Sequence, residues 1–309
     1  MYTHKEIYMS TEIKITFWSD LNRIESTKLM SKAFGQFARI MEKYTRFNPN
    51  SELSKLNSAG GKTWNLDAEF SYLVAKSLEF ASFSGGKFDP TIIDLLEING
   101  YKNSFNPHEI ALKQAKGFDI INYLKLRPSW KEIKYESNLQ QVKLKPNQRL
   151  DFGGIGKGYA IDCAAKELHT NCLSFLIDAG GDVYGYGLDY TTSKPWIIDL
   201  ATKSEAGMHI FGRFQLLETG ESIASSGSWA RKVGNFHHLL DPHSGKPAEN
   251  IQTFVVASTA LVADVLATTL FLTGKDYIDK ISKNYHAKSL LIAKDSQVYT
   301  SNDFKLITE

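Results

Sequence analysis

Runs in which apolar and polar residues alternate predict β-strands along much of the chain. Residues 13–18 alternate in this way and predict a strand near the N-terminus. Further strands are predicted over 141–144, 173–178, 183–187, 196–200, 210–217 and 254–257, with a terminal hairpin over 288–293 and 297–300. Because short turns join the strands in the middle of the chain, we expect antiparallel pairing rather than a doubly wound parallel sheet.

Apolar residues spaced three or four apart predict helices between these strands. Helices are predicted over 29–44 and 68–82, from the glycine-rich segment to about residue 168, and over 259–272. Gly85 and Gly86 end the second helix and Gly274 ends the last one, which Ser258 or Thr259 can cap. A polar loop is predicted over 45–61 and a mix of short elements over 92–147. Together these elements favour an α+β fold with largely antiparallel sheets and packed helices.

Four glycines within six residues mark the segment 150–162, LDFGGIGKGYAID, which leads into a predicted helix. Glycine allows a ligand to approach the backbone closely, and the amides at a helix start bind anions. With the charge of Lys157, this composition favours a loop that holds phosphate. The P-loop pattern does not fit, because Asp151 replaces its first glycine and Gly158 its Ser or Thr. A Rossmann pattern also cannot be placed, and a glycine-rich turn without a ligand remains the alternative.

Asp264 is the only charged residue in the apolar helix predicted over 259–272. An unpartnered carboxylate is costly to bury, so a buried Asp264 requires a partner. Thr268 follows four residues later and shares its helix face. A carboxylate and a hydroxyl on one face are the hard oxygen donors that Mg²⁺ prefers. The alternative is that Asp264 faces solvent or caps a loop.

Other polar segments supply candidates for chemistry. Asp89 and Thr91 lie in a turn beside Pro90, where they contact a ligand or cap the next element. The segment 222–228 is small and polar, which suits a close approach of a ligand to the backbone. Residues 236–245 place three histidines and an aspartate around a turn, and neutral histidine suits acid–base work or ligand contact.

The histidine spacing matches neither H-E-x-x-H nor a Cys/His zinc pattern, which disfavours a transition-metal centre, and no G-x-S-x-G elbow marks a serine hydrolase. Cys163 and Cys172, the only cysteines among the 309 residues, indicate no disulfide framework. The net charge of +2 without a Lys/Arg-rich block gives no electrostatic argument for nucleic acid. No signal peptide, lipoprotein signal or membrane span is visible, so we expect a cytoplasmic protein, or an exported one if a signal was trimmed.

Seven segments, in this order, resemble the ApbE family of flavin transferases. They are 51–57, 86–91, 150–162, 178–182, 224–227, 238–245 and 263–268. The resemblance covers nearly the whole chain. It implies one ApbE-like (T-fold-like) domain over residues 1–309.

The resemblance implies transfer of FMN from FAD to a Ser or Thr hydroxyl of an acceptor protein, with Mg²⁺ and with release of AMP. It implies a metal site formed by the Gly156 carbonyl, Asp264 and Thr268, so that Asp264 serves catalysis through the ion. His238 is the candidate to orient or deprotonate the incoming hydroxyl. Asp162 and Asp182 either contact the ligand or tie the loops together. The residues expected to bind the cofactor are Asp89, Thr91, Lys157, Asp162, Asp182, Ser226, Gly227 and His238.

Two positions depart from the family pattern. Gly156 replaces a common alanine, which a carbonyl ligand tolerates, and Ser228-Trp229-Ala230-Arg231 replaces an acidic–aromatic–acidic–Arg run after the small-residue turn.

Two other functions remain open. One is an FAD pyrophosphatase, in which water replaces the acceptor and gives FMN and AMP. The other is an FAD-binding protein without turnover, whereas nothing in the sequence marks the nicotinamide site of an oxidoreductase.

Overall fold

The computed structural model describes residues 1–101, 108, 120–204, 207–229, 232–233 and 236–307. Ala230, Arg231 and part of the predicted mixed region 92–147 lie outside these residues. The chain divides into two units. The first comprises Met1–Met41, Gly156–Gly227 and Asn250–Glu309, and the second comprises Glu42–Ile155 and Ser228–Glu249. The expectation of a single domain over 1–309 stays a prediction.

The described residues form strands and helices with the following bounds. The strands are β1 Tyr2–Tyr8, β2 Thr11–Trp18, β3 Thr63–Asn65, β4 Lys134–Glu136, β5 Gln141–Lys143, β6 Ser174–Ala179, β7 Asp182–Tyr186, β8 Leu188–Asp189, β9 Lys194–Pro195, β10 Ile197–Ser204, β11 Gly207–Gln215, β12 Glu221–Gly227, β13 Gln252–Ala257, β14 Lys288–Ile292 and β15 Val298–Thr300. The α-helices are α1 Arg23–Tyr44, α2 Glu52–Asn57, α3 Ala68–Phe83, α4 Ile93–Ile98, α5 Ile120–Leu126, α6 Gly156–His169, α7 Ala260–Thr273 and α8 Ile278–Tyr285. Short 3₁₀ turns occupy Trp130–Glu132, Ser137–Leu139 and Lys275–Tyr277.

The first unit is built on an eight-stranded sheet in the order β1-β2-β6-β7-β12-β13-β14-β15. All its neighbouring strands run antiparallel, as the short connections predict. Alternate residues of β12, β13 and β14, such as Ile223, Phe254 and Leu290, enter a core shared with Leu200 and Phe214 of the β10–β11 hairpin. This alternation leaves the opposite face of the same strands for the helices.

Helices α6 and α7 pack against each other and against the sheet, α7 over β12 and β13. Thr259 caps α7 by accepting a 3.3 Å hydrogen bond from the Val262 amide, and Gly274, with φ +79°, ends the helix as predicted. Ten of the fourteen α7 residues are buried. A helix that is apolar nearly all round requires such an environment, so α7 lies in the core of the first unit.

The second unit combines a small sheet with short helices. Strands β3, β5 and β4 pair in that order, all antiparallel. Tyr44, Phe70 and Phe152 pack edge to face, with ring centroids 5.1 to 5.7 Å apart. A second cluster buries Leu95, Leu96, Phe236 and Leu240. These clusters hold the loops that carry the polar residues described below.

The structure confirms most of the predicted elements and corrects two. Helix α2 lies inside the segment predicted as a polar loop, because Ser51 caps it by accepting from the Ser54 amide at 3.0 Å. Residues 221–227 form the central strand β12 and not a small-residue turn. The hydroxyl of Ser222 donates to the Val183 carbonyl at 2.7 Å, which lets a polar strand be buried. None of the helices in the described residues is long and apolar enough to cross a lipid bilayer.

Candidate active site

The glycine-rich segment begins in the second unit, where side chains fix its backbone. The Asn57 amide group donates to the Leu150 carbonyl at 2.8 Å, and its oxygen accepts from the Leu150 amide at 2.7 Å. Asp151 accepts from the Gly153 amide at 3.0 Å and pairs with Arg46 Nε at 3.2 Å. The segment therefore enters its glycines from a fixed position.

Asn57 and Arg46 were not predicted as site residues. Both line a cavity of about 240 Å³ in the second unit, together with Phe47, Ser54 and Arg149. In the sequence, Asn57 belongs to the segment 51–57, one of the seven that carry the resemblance to the ApbE family. The resemblance assigns no role to the residues of this segment. Its hydrogen bonds to Leu150 join residues 93 apart, which no local pattern reveals.

In the first unit, the start of α6 touches the buried part of α7. The Gly158 amide donates to Oδ2 of Asp264 at 3.0 Å. A Cβ atom at position 158 would lie 2.4 Å from the Ala260 carbonyl oxygen, so this approach requires glycine. The glycine at 158 that argued against a P-loop is thus the residue that lets the two helices meet.

Asp264 is buried, with 6% of its surface exposed, so it does not face solvent, which the sequence had left open. Burial raises its pKa, and the nearby charge of Lys157 and the Gly158 amide oppose this effect. Oδ2 holds the carboxylate's one hydrogen bond among the described residues. The charge of Asp264 is therefore incompletely compensated, which favours a cation beside it.

Thr268 and Ser226 face each other from α7 and β12. Their hydroxyl groups lie 3.2 Å apart, and the Ser226 carbonyl accepts from the Thr253 hydroxyl at 3.3 Å. Gly227 ends β12, paired with Gln252. The structure thus brings Ser226 to Thr268, which lies four residues after Asp264 on α7.

Lys157 forms an ion pair with the Oδ2 atom of Asp182. The Asp182 side chain is 2% exposed and its Oδ1 accepts from the Ser225 amide at 3.1 Å, whereas the Lys157 side chain is 26% exposed. Asp182 therefore orients the lysine and also secures β12. The Lys157 charge also lies close enough to Asp264 to oppose the rise in the Asp264 pKa that burial causes.

Asp162 accepts hydrogen bonds from the first two amides of α7, from Ala260 at 2.7 Å and from Leu261 at 3.0 Å. Burial raises its pKa to about 7, although these two hydrogen bonds favour the charged form. The sequence left two roles open for Asp162, ligand contact or a tie between segments. The observed contacts are those of a tie, and cofactor binding by Asp162 stays a prediction.

The oxygen donors of the first unit fit a hard divalent cation. Asp264 supplies an incompletely compensated carboxylate and Thr268 a hydroxyl, and Gly156 is the buried first residue of α6. The described residues contain no group of three or more His, Cys, Asp and Glu side chains placed to hold a metal. An ion at this site would therefore depend on backbone and hydroxyl oxygen as well as on Asp264.

In the second unit, Asp89 and Thr91 form a closed polar turn around Pro90. Oδ1 of Asp89 accepts from the Thr91 amide at 2.8 Å and from its hydroxyl at 2.6 Å. Arg127 donates to Oδ2 at 2.5 Å. The 6% exposed Asp89 is thus an internal anchor, and Arg127 is the partner that sequence reasoning missed. A buried carboxylate signals that a cation is needed, but not which residue provides it.

The histidine turn is held by Asp241. This carboxylate accepts from Lys87 Nζ at 2.8 Å, from the His243 amide at 3.0 Å and from the Ser244 hydroxyl at 3.2 Å. Burial raises the pKa of Asp241, but these hydrogen bonds outweigh it and hold the pKa below its usual range. A fixed carboxylate therefore stabilises the turn that follows His238.

The two adjacent histidines differ in their surroundings. His237 is buried, its Nε2 lies 2.8 Å from the Ala248 carbonyl, and burial lowers its pKa, which favours neutral imidazole. His238 is partly exposed, and its carbonyl accepts from the Leu240 amide at 3.0 Å. Of the two histidines, His238 has the larger exposed fraction, although its Nδ1 atom is buried.

Residues 9–291 match the model of the ApbE family. The chain belongs to the ApbE family. It is similar to several curated proteins that are named FAD:protein FMN transferase, among them the following two. The one from Chlamydia pneumoniae is 27% identical over 276 residues, which cover 85% of this chain and 82% of the relative. The one from Haemophilus influenzae is 26% identical over 288 residues, which cover 87% and 80%.

Solved structures of ApbE proteins share the fold. The crystal structure of the ApbE protein from Thermotoga maritima is 26% identical and aligns with a TM-score of 0.83, over 98% of this chain and 97% of that one. The flavin transferase ApbE from Vibrio cholerae aligns with a TM-score of 0.79 at 20% identity, over the same shares. The predicted α+β fold of the ApbE type is thereby confirmed.

Proposed function

We propose that this ApbE-family chain is an FAD:protein FMN transferase that uses Mg²⁺ and releases AMP. The observation that carries the proposal is the arrangement in the first unit, where Asp264 and Thr268 stand on one face of α7 with the Lys157 charge near Asp264. Hard oxygen donors and a cation suit a substrate that carries a pyrophosphate. Family membership and the names of the relatives support the same activity.

The reaction is a transfer of a phosphoryl group between two oxygens. A Ser or Thr hydroxyl of the acceptor protein forms a bond to the phosphorus of the FMN half of FAD. The bond from that phosphorus to the bridging oxygen breaks, AMP leaves with the bridging oxygen, and the hydroxyl proton is lost. Negative charge grows on the leaving phosphate, so cationic groups near it lower the barrier.

Each candidate residue has a role in this scheme. Asp264, Thr268 and the Gly156 carbonyl would hold Mg²⁺, which when bound supplies charge neutralisation at the pyrophosphate. Lys157, oriented by Asp182, places a second positive charge against the phosphates. His238 orients the acceptor hydroxyl or takes its proton, for which partly exposed imidazole is suited. Asp89, Thr91, Ser226 and Gly227 are proposed to line the cofactor site.

The closest competing function is an FAD pyrophosphatase, in which water takes the place of the acceptor hydroxyl. Both activities need the same metal and lysine, and they differ only in the nucleophile. A binding protein without turnover is less well supported. Holding FAD does not require an incompletely compensated buried carboxylate at Asp264 with a hydroxyl group four residues later on the same helix face.

The test combines the purified protein with FAD and either Mg²⁺ or EDTA, with and without a library of Ser- and Thr-containing peptides. Mass spectrometry then measures AMP, free FMN and peptide–FMN adducts. An adduct that requires Mg²⁺ and disappears in Asp264→Ala supports the transferase. AMP and FMN without any adduct support the pyrophosphatase. Intact FAD on a well-folded protein under all conditions would overturn both enzymatic readings.

A further inference from the structure

We infer that Asp162 is a positioning residue, which sets the place of α7 against α6 and thereby the place of Asp264. The inference rests on the proposed function for its consequence, a metal held by Asp264 and Thr268. It adds a residue that acts on this site from a distance. The structural part of the inference, the link between Asp162 and Asp264, is independent of any ligand.

The two helices are joined by hydrogen bonds that run in opposite directions. From α6, the Gly158 amide donates to the Asp264 carboxylate of α7 at 3.0 Å. From α7, the Ala260 and Leu261 amides donate to the Asp162 carboxylate of α6 at 2.7 and 3.0 Å. Gly158 and Asp162 are four residues apart, as are Ala260 and Asp264, so the two links lie about one helical turn, roughly 6 Å, apart.

Two hydrogen-bonded links one turn apart set the distance between α6 and α7 and also prevent one helix from sliding along the other. A single link at Gly158 would define the position of α7 along α6 less closely than two links do. Gly158 makes close contact possible, since a Cβ there would overlap the Ala260 carbonyl. Asp162 then holds the same end of α7, where amides have no partner inside the helix. The carboxylate therefore acts through the helix backbone, not through the ligand.

Both Asp162 oxygens are already engaged by amides that no residue within the helix can satisfy. A direct contact between Asp162 and FAD would have to compete with these bonds. The alternative, a purely local cap that stabilises α7, is separable from positioning because the chain provides a matched control. Thr259 also caps α7, by accepting from the Val262 amide at 3.3 Å, but it does not belong to α6.

The experiment compares Asp162→Ala and Asp162→Asn with Thr259→Ala in the full chain. Residue-resolved hydrogen exchange by NMR measures the Gly158 amide without metal or FAD, and calorimetry measures Mg²⁺ binding. In Asp162→Ala we expect Mg²⁺ binding to weaken by about 10- to 100-fold, as for loss of a residue that orients a metal ligand. We also expect Gly158 exchange to be faster than in the wild type and in Thr259→Ala. Asp162→Asn, which keeps one acceptor oxygen, should lie between Asp162→Ala and the wild type.

Thr259→Ala should leave Gly158 exchange and Mg²⁺ affinity close to those of the wild type. Equal effects of Asp162→Ala and Thr259→Ala would overturn the inference in favour of a local cap. Unchanged Gly158 exchange in both Asp162 variants would also overturn it. If the wild type binds no Mg²⁺, the proposed function fails, while Gly158 exchange still decides the positioning role. If Asp162→Ala does not fold, Asp162→Asn carries the same comparison.

Discussion

The backbone amide of Gly158 donates a 3.0 Å hydrogen bond to Oδ2 of Asp264, across 106 residues of sequence. This contact joins the glycine-rich segment to the helix that carries the proposed metal ligands. It exists because position 158 has no side chain, so that α6 reaches the first turn of α7. The glycines of this segment thus serve helix packing as well as any approach of a phosphate.

Gly158→Ala should displace α7 and disturb the proposed site. The added Cβ would meet the Ala260 carbonyl at 2.4 Å, so the backbone must move. We expect a loss of about 1–3 kcal/mol in the free energy of unfolding and a marked loss of FAD cleavage. Gly35→Ala is the control, since Gly35 lies in α1 with nothing within 4 Å of a Cβ atom, and should gain about 0.5–1 kcal/mol. Similar unfolding energies for the two variants would contradict the packing argument.

Asp264→Asn should separate stability from metal binding. Burial disfavours the charged carboxylate, so without metal the variant should melt at the same temperature as the wild type or higher. In the wild type, Mg²⁺ at 100 times its dissociation constant should add about 2.7 kcal/mol, and the variant should lose this increment. Thermal unfolding with and without Mg²⁺ measures both effects. Equal stabilisation of the two proteins by Mg²⁺ would show that Asp264 is not a ligand of the metal.

Lys157→Met should have two effects with different causes. Asp182 would be left buried without its cation, which should cost on the order of 2 kcal/mol of unfolding free energy. The lost positive charge should also raise the KM for FAD. In the double variant Lys157→Met/Asp182→Asn, stability should recover while the KM stays high. Recovery of both quantities would show that Lys157 serves only to neutralise Asp182.

His238→Ala should lower the transfer of FMN to an acceptor by about 10²- to 10⁴-fold, as for loss of an acid–base group. Binding of FAD and of Mg²⁺ should remain close to the wild type. His243→Ala is the matched control, because His243 is exposed and its side chain lies on the same turn. Titration of FAD binding by fluorescence and an adduct assay by mass spectrometry give the two readouts. An equal loss of transfer in both variants would assign the effect to the turn as a whole.

Acid should loosen the histidine turn through Asp241. Its pKa is held below the usual value, so its contribution to stability is present above about pH 4 and is lost as pH falls through its folded-state pKa. The unfolding free energy of the wild type should therefore fall more steeply below about pH 4 than that of Asp241→Asn. Asp20→Asn, at an exposed position, provides the control. Parallel pH profiles for the wild type and Asp241→Asn would show that the Asp241 carboxylate does not stabilise the histidine turn.

Sequence patterns correctly predicted the elements whose formation depends on residues close in the chain. The alternation over 13–18 became β2, and the Thr259 and Gly274 signals mark the two ends of α7. The small polar segment 222–228 was wrongly interpreted as a turn, whereas Glu221–Gly227 form β12, because small polar residues favour turns in isolation. Its hydroxyl groups find partners on neighbouring strands and α7, and these partners are distant in sequence.

For the candidate site too, some features follow from local sequence and others only from the tertiary structure. The sequence by itself determined the α+β class, the family and the four-residue spacing that puts Asp264 and Thr268 on one helix face, because helix periodicity and residue chemistry are local. It left open whether Asp264 is buried, and the structure shows that it is. Only the tertiary structure decided that Asp162 holds the start of α7, that Asp182 pairs with Lys157 and that Arg127 pairs with Asp89. These pairs join residues 25 to 98 positions apart, and a buried charge specifies the need for a partner but not its position in the chain.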